Sequence, residues 1–200
     1  MPCTLIVPSL AALPSYMDAL RRGWSPDNTR SVAAVEELAR AEADPAGFVA
    51  ALDDPQARGG PIVLPDGATV PRLPGFRRWI WDGEAAGSIG FRWQIGTTML
   101  PAHVLGHVGY AVVPWKRRRG YATAALRLLL DEIRPLGLAF VELTVDPGNP
   151  ASQRVVTANG GRLVERFASP AVYGGDEMLR FRINLQASPP AAGATAPAVG

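Results

Sequence analysis

The run Arg117-Arg118-Arg119-Gly120-Tyr121-Ala122 holds the residue types that bind an anion. Arginine presents a planar fork of donors that matches phosphate oxygens. Glycine lets the backbone come close to a bulky ligand and adopt conformations that side chains forbid. Downstream, Tyr121 to about Arg134 carries Ala122, Ala125, Leu126, Leu129, Leu130 and Ile133 at helical spacing. Upstream, His107 to Val113 reads as a buried strand closed by Pro114. A strand, a basic turn and a helix start follow in order. The first helical turn has backbone N–H groups without internal partners, and the helix dipole adds partial positive charge there. The segment therefore predicts a phosphate-binding turn.

Spacing excludes two other phosphate loops. Neither Gly-x-x-x-x-Gly-Lys-Ser/Thr nor a Gly-x-Gly-x-x-Gly opening this helix occurs. As Arg-x-x-Gly-x-Ala after a strand, the run resembles the acyl-coenzyme A pyrophosphate loop of the GNAT N-acetyltransferase superfamily. Thr123 continues the likeness, Phe140 to Asp146 matches the next strand, and Asn149-Pro150-Ala151-Ser152 matches the Asn-x-x-Ser/Ala opening of the following helix. The resemblance runs from about 76 to 185 and more weakly over the first 55 residues. Gly106 to Tyr110 and Arg180-Phe181-Arg182 also look similar to a bacterial subgroup of predicted acetyltransferases.

The resemblance implies an α+β fold: a mixed, mostly antiparallel sheet of about six or seven strands flanked by about four helices. Its central strands, near Tyr110 and Leu143, are expected to run parallel in one sheet and diverge at one end. The implied activity is transfer of an acetyl group from acetyl-CoA, the co-substrate, to an amine by direct attack. The alternative is a non-catalytic acyl-CoA-binding module of the same fold. Carried onto this chain, the family's cofactor contacts fall on the strand edge at Val112 and Val113 and on Arg117, Arg118, Arg119, Gly120, Tyr121, Ala122 and Thr123. Asn149 and Ser152 form a second anchor. Asn149 also suits a helix N-cap with Pro150 at the first helical position, which is the plainer role for it.

Many members place a tyrosine seven residues after that asparagine, to protonate the departing thiolate; here the position is Val156. The proton then comes from Tyr173, Tyr110 or a water, or the thiolate leaves unassisted. For a general base, histidine has the suitable ordinary pKa near 6.5. His107 opens the central strand, and strand alternation places it with Gly109, Ala111 and Val113. Glu142, mid-strand among Phe140, Val141, Leu143 and Thr144, is the second candidate. A buried carboxylate needs a partner or water. His103 sits in a loop.

The elements that position these residues read along the chain as one domain, residues 1–185. Leu5 to Val7 predicts a strand; Ala11 to Arg22, Thr29 to Ala41 and Pro45 to Leu52 predict helices. Pro65-Asp66-Gly67, between Ile62-Val63-Leu64 and Ala68-Thr69-Val70, suggests a small hairpin or a loop excursion. Arg77 to Trp81 and Gly87 to Ile95 predict strands joined at Asp82-Gly83, with further strands at Arg162 to Phe167 and Met178 to Leu185. Gln186 to Gly200 has no charge and is rich in Ala, Pro and Gly, so it predicts a disordered tail.

The net charge of +2 is too small to point to nucleic acid, and the basic character is local to Arg117. Nor does any run reach the 18 apolar residues of a membrane span. Cys3 is the only cysteine, so no intrachain disulfide can form, which suits a cytoplasmic setting. The expected partner is a small-molecule or peptide amine, with neither nucleic acid nor membrane and no metal; a homodimer is left open.

Overall fold

The computed structural model describes residues 3–27, 30, 32–64 and 66–186. In chain order the elements are β1 (Thr4–Ile6), α1 (Leu13–Arg21), α2 (Ala33–Ala43), α3 (Pro45–Ala50), β2 (Asp53–Asp54), β3 (Ile62–Val63), β4 (Thr69–Val70), β5 (Gly75–Trp81) and β6 (Ala85–Arg92). There follow β7 (Val108–Val112), α4 (Tyr121–Ile133), β8 (Phe140–Val145), α5 (Pro150–Ala158), β9 (Arg162–Ala168) and β10 (Glu177–Asn184). The expected α+β architecture with mostly antiparallel strands is present. The described residues hold five α-helices rather than about four. No helix among them is long and apolar enough to cross a membrane.

Alternation along β5 explains the layering. Ile80 faces a core shared with Ile89, Phe91, Leu126, Leu129 and Val141, which joins α4 to both large sheets. Trp79 faces the other way, into a second core with Tyr16, Leu20, Phe48 and Val113 beneath α1 and α3. Tyr16 stacks on Trp79 at 4.5 Å between centroids. Such aromatic pairs add to the stabilisation from burying their area. The two faces need two helical covers, which the N-terminal helices and α4 provide.

The strands form a five-stranded sheet, ordered β1-β5-β6-β7 with β2 on β5, and a three-stranded sheet, ordered β8-β10-β9. A separate hairpin pairs β3 with β4. β7 and β8 lie in separate sheets, which corrects the expectation of a parallel pair within one sheet. No ladder joins them among the described residues; His107 N–H donates to the Glu142 carbonyl at 2.8 Å where they meet.

Local side-chain bonds explain this. The Glu142 N–H donates to His107 Nδ1 at 3.0 Å, taking a donor that a ladder would use. Thr144 Oγ1 donates to the Leu105 carbonyl. Gly106 passes close beside this junction: a Cβ there would lie 3.0 Å from the Glu142 carbonyl oxygen.

Boundaries differ modestly from the sequence expectation. The second helix begins at Ala33, while Asn28 and Thr29, near its expected start, lie outside the described residues, as do Pro65 and residues 187–200 of the expected tail. The two-residue β2 was not anticipated, being too short to show a period.

His107 is 1% exposed, and its Nε2–H donates to the Thr98 carbonyl at 3.0 Å. Burial lowers its pKa below the ordinary 6.5, outweighing the opposing hydrogen bonds and the Glu142 charge. A group kept neutral in the fold but protonated when unfolded stabilises above its unfolded pKa; that contribution is lost as pH falls through the folded value. Denaturant unfolding should therefore show stability falling below about pH 6.5. His107→Gln should lower stability by about 1–3 kcal/mol near neutral pH and flatten this dependence. An unchanged slope in the variant would count against the assignment.

Candidate active site

β7 ends its sheet, and the register shows which of its backbone groups remain outward. Val113 N–H donates to the Ala86 carbonyl, and Arg92 N–H donates to the His107 carbonyl. In an antiparallel ladder such residues alternate, so Gly109 and Ala111 also point toward β6. Val108, Tyr110 and Val112 consequently turn their N–H and C=O groups toward the gap beside β8. On the other side, Leu185 N–H donates to the Ala139 carbonyl, so β8 turns Glu142 and Thr144 toward that same gap. Two strand edges thus face one another across an opening.

Val113 is corrected by this geometry. Its N–H is held by Ala86 and its carbonyl by Lys116 N–H, so it has no backbone group for a ligand. Tyr110 takes that place, two residues before Val112 on the same edge. Period-two alternation was the signal for it, once the ladder side was known.

The basic turn lies at the end of β7. Arg117 Nε folds back and donates to the Val112 carbonyl at 3.2 Å, leaving the Val112 N–H as the outward donor. Arg118, Arg119 and Gly120 are exposed. Gly120 is left-handed, with φ +79°, and starts α4 without a side-chain cap. The N–H groups of Tyr121, Ala122 and Thr123 are those the helix cannot satisfy itself. No acidic residue occupies that first turn. Beside it, a groove of about 370 Å³ is lined by Gly120, Thr123, Ala124, Arg127, Ala158 and Asn159.

Two residues flanking the turn grip one carboxylate. Lys116 Nζ donates to Asp82 Oδ1 and Tyr121 OH to Asp82 Oδ2, each at 2.5 Å. Lys116 also pairs with Glu84 at 2.8 Å. Lys116 is therefore a buried fastening for the turn, although in sequence it looks like part of the exposed basic run. Burial pushes the Asp82 carboxyl up, but the bonds from Lys116 and Tyr121, with the Lys116 charge, hold it below the ordinary 3.8.

The second anchor lies across the gap. Asn149 Oδ1 accepts from Ser152 N–H at 3.0 Å, so Asn149 caps α5. Ser152 Oγ bonds the Tyr110 hydroxyl at 2.8 Å. This pair ties β7 to the first turn of α5. Burial raises the Tyr110 pKa above 10.0, with the Ser152 bond opposing it, so the hydroxyl keeps its proton at neutral pH.

The remaining catalytic candidates are engaged elsewhere. His107 begins before the strand, and both its ring nitrogens bind backbone groups, so no lone pair faces a substrate. This corrects its assignment as general base. Glu142 Oε1 accepts from Arg182 at 2.7 Å, and Oε2 faces Arg180 at 3.8 Å. Tyr173 OH donates to the His103 carbonyl at 2.9 Å. Val156 is fully buried and supplies no proton.

A family model described as "Acetyltransferase (GNAT) domain" matches residues 14–162. The chain belongs to the GNAT acetyltransferase family. Among solved structures, the microcin self-immunity acetyltransferase MccE, in complex with acetyl-CoA and AMP, aligns with TM-score 0.60 and 11% identity, covering 92% of each chain. The ribosomal alpha-N-protein acetyltransferase RimL, in complex with coenzyme A, aligns with TM-score 0.59 and 12% identity over 92% of this chain and 94% of that one. At these identities the likeness is one of fold. A curated relative, the L-2,4-diaminobutyric acid acetyltransferase of Nocardia farcinica, is 48% identical over 42 residues. That alignment spans 21% of this chain and 22% of the relative's length. The residues of this GNAT chain suit a ligand with an amide-bearing arm and a pyrophosphate: outward strand donors lead to an uncapped helix start.

Asp82→Asn should destabilise the protein by about 2 kcal/mol in denaturant unfolding, less than the loss of a whole buried pair because Glu84 still holds Lys116. A carboxyl whose pKa is depressed stabilises above its unfolded value and loses that contribution as pH falls through the folded one. The wild-type advantage over the variant should therefore shrink below about pH 3.8. Equal stability of the two proteins at neutral pH would contradict the clamp.

Proposed function

We propose that this GNAT protein is an N-acetyltransferase that moves the acetyl group of acetyl-CoA to an amine by direct attack. The observation that carries it is the run from the gap-facing edge of β7, where the Val112 N–H points outward, into the uncapped start of α4. Bound acetyl-CoA supplies the activated acyl group as a thioester. The chain's own part is to position, polarise and supply a proton. The Tyr110 and Val112 backbone groups hold the extended arm along the strand. The Val112 N–H would face the thioester oxygen, where it would stabilise developing negative charge. The amides of Arg118 to Thr123, with the arginine side chains, receive the pyrophosphate. Asn149 and Ser152 bound the opposite side of the arm.

In the transfer, the amine nitrogen bonds to the acyl carbon, the carbon–sulfur bond breaks, the nitrogen loses a proton and the sulfur gains one. Tyr110 is the protonated hydroxyl at the gap, and we assign it the proton donated to sulfur in place of Tyr173; the proton that the amine releases to water returns to Tyr110 through solvent. With His107 sealed and Glu142 paired to arginine, the acceptor gives its proton to water and reacts as its neutral fraction. The non-catalytic reading is favoured by Val156, whose buried side chain cannot donate. Thiol release from acetyl-CoA with a panel of amines separates the two.

Gly120→Val adds a branched side chain where the phosphate must approach and should reduce coenzyme A affinity at least about tenfold, while its left-handed position costs fold stability about 1–2 kcal/mol. Arg118→Ala should give a smaller loss that grows at low salt. Equal calorimetric affinities for wild type and Gly120→Val would refute the loop assignment. In the chemical step, Tyr110→Phe should lower kcat by roughly 10²-fold with little change in the KM for acetyl-CoA, whereas Tyr173→Phe should keep kcat near wild type. The log of kcat/KM should rise with pH toward the acceptor's own pKa, about 10 for an alkylamine, without an inflection near 6.5. Such an inflection, abolished in His107→Gln, would restore His107 as base.

A further inference from the structure

Gly90 and Gly109 face each other across β6 and β7. They share a sheet face with Trp79, Ala111 and Val113, which lie buried in the second core. Over the glycine pair that cover is missing. A Cβ added at Gly109 would meet nothing within 4 Å, and one at Gly90 only the Phe76 carbonyl oxygen at 3.7 Å. The face drops there to bare backbone, beside the open edge of β7.

Arg92 stands next to this depression, two residues along β6 from Gly90 and on the same face. Its side chain is exposed and makes no hydrogen bond or ion pair with any described residue. Arg77, on the same face of β5, is already balanced: its Nη1 donates to Glu37 Oε1 at 2.6 Å, and Tyr16 OH donates to Glu37 Oε2 at 2.6 Å. Surrounding protein lowers the Arg92 pKa, as does the charge of Arg77, while Asp27 and Tyr173 oppose this. The result is an exposed cation with no ion-pair partner among the described residues.

We propose that Arg92 receives a carboxylate of the acceptor, which makes the acceptor a small amino acid with a second, reacting amine. This rests on the N-acetyltransferase reading and narrows its acceptor class. The guanidinium fork matches a carboxylate with two parallel hydrogen bonds. The spacing suits one small molecule. His107, whose carbonyl accepts the Arg92 N–H, lies three residues from Tyr110, about 10 Å along the strand. An arginine side chain covers much of that span, which brings the carboxylate within reach of an amine at the β7 edge.

The test uses matched acceptors, ornithine with putrescine and lysine with cadaverine, each pair differing by one carboxylate. With acetyl-CoA, the amino acids should be preferred at least about tenfold in kcat/KM. Arg92→Gln should remove the preference by raising their KM roughly 10–100-fold, leaving the KM for acetyl-CoA unchanged. Arg92→Lys should restore part of it. Calorimetry in the presence of coenzyme A gives a readout independent of turnover: the amino acids should bind wild type and lose binding in Arg92→Gln. Equal use of amine and amino acid, or a preference that survives in Arg92→Gln, overturns the proposal. Absence of thiol release with every acceptor contradicts the N-acetyltransferase reading; calorimetry then decides on Arg92, and binding of neither amino acid overturns it.

Discussion

A strand edge inside a protein leaves a row of donors and acceptors that must find partners, because unpaired backbone groups away from water are unfavourable. β7 and β8 each present such an edge, and they face one another. His107 keeps them together at one end by bonding Glu142 with both its backbone N–H and its ring nitrogen. Past that point the edges need something extended and amide-bearing to complete them. The rest of the molecule can be understood as support for that opening. α4 and its core back one face, the N-terminal helices back the other, and α5 closes the side through Ser152 and Tyr110.

The basic turn depends on this frame and on a buried clamp. A left-handed backbone at Arg118 is an unfavourable route for a residue with a side chain, and it persists where neighbouring structure over-determines it; Gly120 takes the same region without that cost. Lys116 before the turn and Tyr121 after it both hold Asp82, which lies beyond the end of β5. The turn is thereby fixed to the same hairpin that carries β6, the neighbour of β7. Charge in this region thus has two different uses. Lys116 is buried and structural, while Arg118 and Arg119 remain exposed for an anion.

Local patterns made much of this legible in the sequence. The apolar period of Tyr121 to Ile133, the cap at Asn149 with Pro150 behind it, and the alternation through Arg77 to Trp81 each specify an element from neighbouring residues alone. What the sequence hid was set by long-range partners. The side of β7 that bonds to β6 exchanges Val113 for Tyr110, and no local signal fixes it. His107 lies immediately before β7, and its ring bonds to Thr98 and Glu142, distant partners that no local signal shows, turned a candidate base into a sealed link. Lys116 reads as surface charge until Asp82, far away in sequence, is brought beside it. Arg92 carries no motif at all, and its isolation shows only when the surrounding faces are assembled.

Backbone amide exchange, followed by NMR with and without coenzyme A, reads the proposed site most directly. The account predicts that the amides of Tyr110 and Val112, together with Tyr121, Ala122 and Thr123, gain protection and shift on binding. Val113, already bonded to Ala86, should keep its exchange rate. Binding that leaves the Tyr110, Val112 and first-turn amides unchanged would contradict the account.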